Sequence, residues 1–249
     1  MKNYAVIQHN YSEFLGLIEN QLEVRDIGFS YIRPFVGQGL PASPQPYDAL
    51  FLLGGSVPPT DKESYPWIDE EIALIDRFLL SGRPVLGFGF GAQIIALWAG
   101  GQGQSEPAHT AYWTRARAAN GAQDDPVAQV VDGKKVLVLY NGKVELPENT
   151  KVILEDEAGN PIAFRPEPRV YGMLFRPELK PGMLEDMVME AGRETAANIG
   201  EVLAEARQEW EQTQKLTHQI LIALTKELDL MTERKKAPVF RLNVENDDE

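Results

Sequence analysis

The sequence predicts an α/β fold: an open, mostly parallel sheet with helices on both faces, followed by a long α-helical C-terminal extension. Short apolar runs that end in glycine or a polar turn read as strands buried on both faces, as at residues 4–8 (YAVIQ), 47–53 and 84–88. Stretches with apolar residues every three to four positions separate several of them, which implies right-handed βαβ crossovers. From residue 181 onward the helical period continues almost without a break.

Taken in order, residues 4–8 are the first strand, and residues 11–22 set Phe14, Leu15, Ile18 and Leu22 on one helical face. Residues 29–35 (FSYIRPF) return as a strand, and the Pro-rich loop LPASPQP leads to a strand within 47–53 that ends in glycines. After an irregular loop at 56–61, residues 67–80 (WIDEEIALIDRFLL) form an amphipathic helix with Ile68, Ile72, Ile75 and Leu79 inward, capped by Gly82. Residues 84–88 are the next strand; Gly87, Gly89 and Gly91 crowd one tight turn, and 92–99 are helical. Beyond Gly101 come shorter strands at 111–118, 135–140, 151–155 and 169–175, with turns at Asn141-Gly142 and Asn160-Pro161. These are expected to complete the sheet, partly in antiparallel fashion.

In the extension, Ile199, Leu203, Ala206, Trp210, Ile220, Leu224 and Leu228 recur at steps of three and four, marking one long helix or two broken near 213–217. About thirty residues at 1.5 Å each would span about 45 Å, so this segment lies across the domain or packs on another chain. The organisation expected is a domain at 1–190, a helical extension at 191–236 and an acidic, disordered tail at 237–249. Trp210 and the basic cluster at 234–236 add to the case for an interface.

Composition narrows the chemistry. The 249 residues, 43% of them apolar, suffice for one sizeable core. A net charge of −13 argues against nucleic acid and anionic membrane as partners. No cysteine occurs, which excludes disulfides, thiolate metal sites and thiol nucleophiles. The opening MKNYAVIQHN has too short an apolar run for a signal peptide, and no segment approaches a membrane span, so a cytoplasmic location is expected.

Strand, sharp turn and helix at 84–101 (PVLGFGFGAQIIALWAGG) follow the layout of a nucleophile elbow, whose apex residue projects above the sheet's carboxyl edge beside backbone N–H groups. Here the apex is Gly89, which has no side chain.

Three segments in order, YDALFLLGGSVPP with YPWIDEEIALI, the elbow, and VYGMLFRPELKPGMLEDMV, resemble class I glutamine amidotransferases. The resemblance covers most of residues 1–190, and Gln8-His9 with VLAEARQ resembles one free-standing branch of that family. It implies a flavodoxin-like domain and the hydrolysis of glutamine to glutamate and ammonia by a Cys-His-Glu triad. The family's elbow reads G-x-C-x-G-x-Q, which sets Gly89 at the nucleophile and Gln93 at the glutamine. Its F-H-P-E motif falls on Phe175, Arg176, Pro177 and Glu178, so Arg176 stands for the base and only the orienting acid, Glu178, persists. The backbone oxyanion donors map to Gly55 and Phe90. Glycine supplies no attacking atom, and a guanidinium cannot shuttle a proton.

The resemblance therefore implies a binding, scaffolding or regulatory subunit that has lost glutaminase activity, with no cofactor. A protein partner or second copy would meet the C-terminal helix. Arg176, the cradle N–H groups and a helix starting at Gly91 would favour a small carboxylate such as glutamine or glutamate. The alternative is a hydrolase or amidotransferase that uses Ser56, His9 or Glu178 in the retained cradle.

Bland readings stand beside these. Gly89 is also what an apex with no function prefers, Arg176 with Glu178 is also a structural ion pair, and His9 is also a hydrogen-bonded core residue. The elbow fits the dinucleotide fingerprint G-x-G-x-x-A as well, but it follows what reads as the fourth strand and lacks the acid that should come about twenty residues later. The Tyr140-Asn141-Gly142 turn replaces a tryptophan-histidine-glycine turn of the related branch, which bears on glutamine recognition.

Overall fold

Alternation of side chains along the central strands divides the core in two, in a computed structural model that describes residues 2–56, 58–191 and 196–230. In chain order the elements begin with β1 (Asn3–Ile7), α1 (Leu17–Glu23), β2 (Gly28–Ile32), β3 (Ala49–Leu52), α2 (Ile68–Leu80), β4 (Val85–Phe88) and α3 (Phe90–Trp98). There follow β5 (Gln102–Arg115), β6 (Arg117–Ala118), α4 (Pro126–Val131), β7 (Lys135–Glu145), β8 (Lys151–Glu155), β9 (Pro161–Arg165) and β10 (Val170–Met173). The chain then turns helical, with α5 (Pro181–Ala191), α6 (Ile199–Gln208) and α7 (Trp210–Leu228).

The main sheet runs β2-β1-β3-β4-β10-β9-β8-β6. Its first five strands are parallel and the last three antiparallel, as expected. Tyr4, Val6, Phe51, Leu86 and Phe88 face one way, against α1, α4 and α7. Ala5, Ile7, Leu50, Leu52 and Val85 face the other, against α2 and α3. Burial on both faces explains why these strands read as continuous apolar runs. Pairing of Leu52 with Gly87 and of Met173 with Phe88 brings the carboxyl ends of β3, β4 and β10 to one level, where the elbow sits.

Four expectations need correction. The first helix begins at Leu17 rather than near residue 11, because Asn10 Oδ1 accepts from the Glu13 N–H at 2.9 Å in a local turn and Gly16 then takes a positive φ. The second strand ends at Ile32, since Pro34 opens a turn of 3-10 helix. Asn141-Gly142 is no hairpin turn: β7 continues through it, with Gly142 at φ 73° near the register shift in β5, and β5 and β7 form a separate two-stranded sheet. The C-terminal helices break at Glu209, not at 213–217.

That break gives the two helices different seats. Trp113 Nε1 donates to the Val202 carbonyl at 3.2 Å and Asn198 Nδ2 to that of Ala111 at 2.9 Å, which holds α6 on β5. The stripe Leu216, Ile220, Leu224 and Leu228 of α7 is buried in the domain core with α1 and α4, so much of the periodic apolar signal is internal packing. The tail at 237–249 and the cluster at 234–236 lie outside the described residues. No described helix is long and apolar enough to cross a membrane.

Candidate functional site

Between β4 and α3 the chain makes its bend at Gly89, with φ 53° and ψ −110°, a backbone region that L side chains rarely adopt. The Gly89 N–H donates to the Met173 carbonyl and the Gly91 N–H to that of Leu53, both at 2.9 Å, which pins the bend between β3 and β10. Gly91 is glycine because a Cβ there would collide with the Leu52 carbonyl, and Gly87 because one would come within 2.5 Å of Gly91 backbone. At Gly89 a Cβ would meet Arg176 Nη1 at 3.0 Å and the Leu139 carbonyl oxygen at 3.1 Å. The apex thus faces Arg176, as the sequence motifs require, and α3 starts at Phe90, two residues ahead of the stretch expected at 92–99.

Arg176 is 3% exposed and bound on two sides by carboxylates. Its Nε donates to Glu178 Oε1 at 2.6 Å and its Nη2 to Glu13 Oε2 at 2.5 Å, while Nη1 lies 3.5 Å from the Leu139 carbonyl oxygen. The other Glu13 oxygen accepts from Asn10 Nδ2 at 2.7 Å. Burial disfavours the guanidinium charge, but Glu178 and Glu13 outweigh it and hold the Arg176 pKa above its ordinary value. Burial also pushes the Glu178 carboxyl up, against the pull of Arg176, and Glu178 Oε2 has no hydrogen bond among the described residues. The positive charge expected to attract a small carboxylate is therefore matched by two carboxyl groups of the chain itself. Glu13, which sequence reasoning missed, is the second of them.

His9 stands on the other side of Gly54, buried, with Nδ1 3.0 Å from the Gly54 carbonyl oxygen and Nε2 2.9 Å from Glu71 Oε1. Both ring nitrogens face oxygen acceptors, so both carry hydrogen when Glu71 is ionised. Burial opposes that charge, yet Glu71 prevails and raises the His9 pKa. The Phe90 ring packs 4.6 Å from the His9 ring and 5.1 Å from that of Tyr65. His9 is thus a hydrogen-bonded core residue with no ring nitrogen left for Ser56. The Ser56 hydroxyl lies 3.3 Å from that of Tyr65, and Asn141 Nδ2 donates to the Ser56 carbonyl at 2.7 Å.

The two cradle positions adjoin, since a Cβ on Gly55 would come within 3.0 Å of Phe90 Cγ. Gly55 borders a cavity of about 220 Å³ with Glu13, Ser56, His109 and Asn141. Gln93 instead borders a separate cavity of about 640 Å³ on the other side of β7 with Tyr112 and Tyr140. The structure thus brings Gly89, Arg176, Glu178, Gly55 and Phe90 to one edge but puts Gln93 and Gly55 on different cavities. Among the described residues no group of three or more histidine, aspartate or glutamate side chains could hold a metal ion.

Neither the protein-family models nor the curated proteins contain a match to this chain. Solved structures do share its fold. A glutamine amidotransferase from Thermotoga maritima superposes with a TM-score of 0.78 at 20% identity, covering 90% of this chain and 98% of that one. A glutamine amidotransferase from Methylobacillus flagellatus does so with a TM-score of 0.79 at 21% identity, covering 92% of this chain and 96% of that one. At such identities the likeness establishes a glutamine amidotransferase-like, flavodoxin-type fold.

Proposed function

We propose that this chain, which has the fold of the glutamine amidotransferases, is a homologue without glutaminase activity that acts as a binding, scaffolding or regulatory subunit. The observation that carries this reading is the filling above Gly89: where an attacking atom would project stands the Arg176 guanidinium, clamped by Glu13 and Glu178. Acyl transfer there needs a nucleophile and a group that can take and return a proton. Glycine has no such atom, and a guanidinium with a raised pKa cannot exchange its proton.

Incubation of the pure protein with glutamine should release no ammonia, and turnover in a preparation shown free of contaminating glutaminase overturns the reading. The variant carrying Gly89→Cys and Arg176→His together should release ammonia where neither single variant does. Glutamate at millimolar concentration should give no binding heat, because carboxyl groups of the chain already hold Arg176. A protein partner or second copy at the C-terminal helices would meet the outer, polar faces of α6 and α7, since the apolar stripe of α7 is spent on the domain. Light scattering across a dilution series reads the self-association arm.

A further inference from the structure

We propose that the cavity between α3, the β5–β7 pair and β8–β9 binds an uncharged planar heterocycle that carries a hydrogen-bond donor and acceptor side by side, the chemistry of a nucleobase. Its volume of about 640 Å³ falls in the usual range for small-molecule sites. Gln93 borders it at only 2% exposure, and neither Nε2 nor Oε1 of its amide has a hydrogen-bond partner among the described residues. A buried amide left unpaired is costly, and what satisfies both of its atoms at once is an edge with the complementary acceptor and donor, as when glutamine reads adenine.

The remaining wall suits a ring. Tyr112, Tyr140 and Phe164 contribute aromatic surface, and Ala96, Val152 and Leu174 contribute aliphatic surface. The far end is already satisfied: the Tyr112 hydroxyl and Asn160 Nδ2 both donate to Asp156 Oδ2 at 2.9 Å. Charge sets the remaining selectivity. Lys143 alone stands against Glu145, Glu148 and Asp156 on the lining, so a phosphate or carboxylate entering here is repelled. This site lies apart from Gly55 and Arg176 and does not depend on whether that edge is inactive.

Titration calorimetry of the whole chain with adenine, adenosine and AMP tests it. Adenine and adenosine should saturate a single site, AMP should bind about tenfold more weakly or worse, and Glu148→Lys should narrow that gap. Gln93→Met keeps the side-chain length and removes the amide. It should weaken adenosine about tenfold with the Tm unchanged or raised, because an unpaired buried amide is lost. Absence of saturable binding by adenine, adenosine, uracil and nicotinamide up to millimolar concentration overturns the proposal. So does unaltered adenosine affinity in Gln93→Met. Ammonia release from glutamine would overturn the preceding proposal and leave this one standing.

Discussion

Two glycines open helices on the same edge of the sheet with the same backbone: Gly16 before α1 at φ 53° and ψ −112°, and Gly89 before α3 at φ 53° and ψ −110°. Both face the segment that follows β10. A Cβ on Gly16 would collide with the Glu178 carbonyl oxygen, a main-chain atom held in place by the Leu17 N–H at 2.9 Å. A Cβ on Gly89 would reach the tip of Arg176 at 3.0 Å and the Leu139 carbonyl oxygen at 3.1 Å. At position 16, space and angle both demand glycine. At position 89 the angle demands glycine while the space is merely tight, so a side chain fits once Arg176 and the Leu139 carbonyl give by a few tenths of an ångström.

The largest expected effect removes what fills that room. Arg176→Met leaves Glu13 and Glu178 buried without their cation and should cost about 3–5 kcal/mol in urea unfolding. In that background the cost of Gly89→Ala should shrink, whereas that of Gly16→Ala, set by the Glu178 main chain, should persist. Next comes Gly16→Ala itself, expected to cost about 3 kcal/mol because backbone strain and a main-chain clash combine. Gly89→Ala should cost about 1–2 kcal/mol, for the angle together with a tight contact on Arg176. Equal costs at the two glycines would break the comparison.

The smallest effect is one of pH. His9 has a raised folded-state pKa, so its stabilisation is complete below about pH 6.5 and is lost as pH rises through the folded value. Glu178 is raised too and acts in the same direction, from a lower starting pH. The urea midpoint should therefore fall as pH climbs above neutrality, and Glu71→Gln should flatten the part owed to His9. Gly89→Ala presses on Arg176 and weakens its hold on Glu178, so its cost should grow between pH 5 and pH 8. Gly16→Ala, which meets a peptide oxygen, should cost the same at both.

The elbow and α2 were legible because local chemistry decides them: glycines crowd the bend, and one face of α2 is apolar. Even so, α2 is turned from its expected phase. Ile72 and Leu79 are half-buried while Glu71 is wholly buried, because His9 draws it inward. Glu13 carried no such signal, since its partner Arg176 lies 163 positions away and an acid three residues past Asn10 looks like an ordinary loop residue. Asn141-Gly142 has the composition of a tight turn, yet what calls for that glycine is its positive φ within β7 and the close approach of Pro58, which a Cβ would meet at 2.7 Å. The step at Glu209 likewise depends on where β5, α1 and α4 happen to lie.

The contrast among the elbow's own glycines bears on descent. Gly87 and Gly91 stand against main-chain atoms at 2.5 Å or less, so change at either dismantles the bend, whereas the apex leans less closely, on the Arg176 side chain and one carbonyl. Relatives that carry a side chain at position 89, at the cost of its positive φ, should carry a smaller residue at 176 and keep glycine on either side of it. If the edge is inactive, as proposed above, a bend kept for packing leaves open a route to catalysis that packing alone maintains.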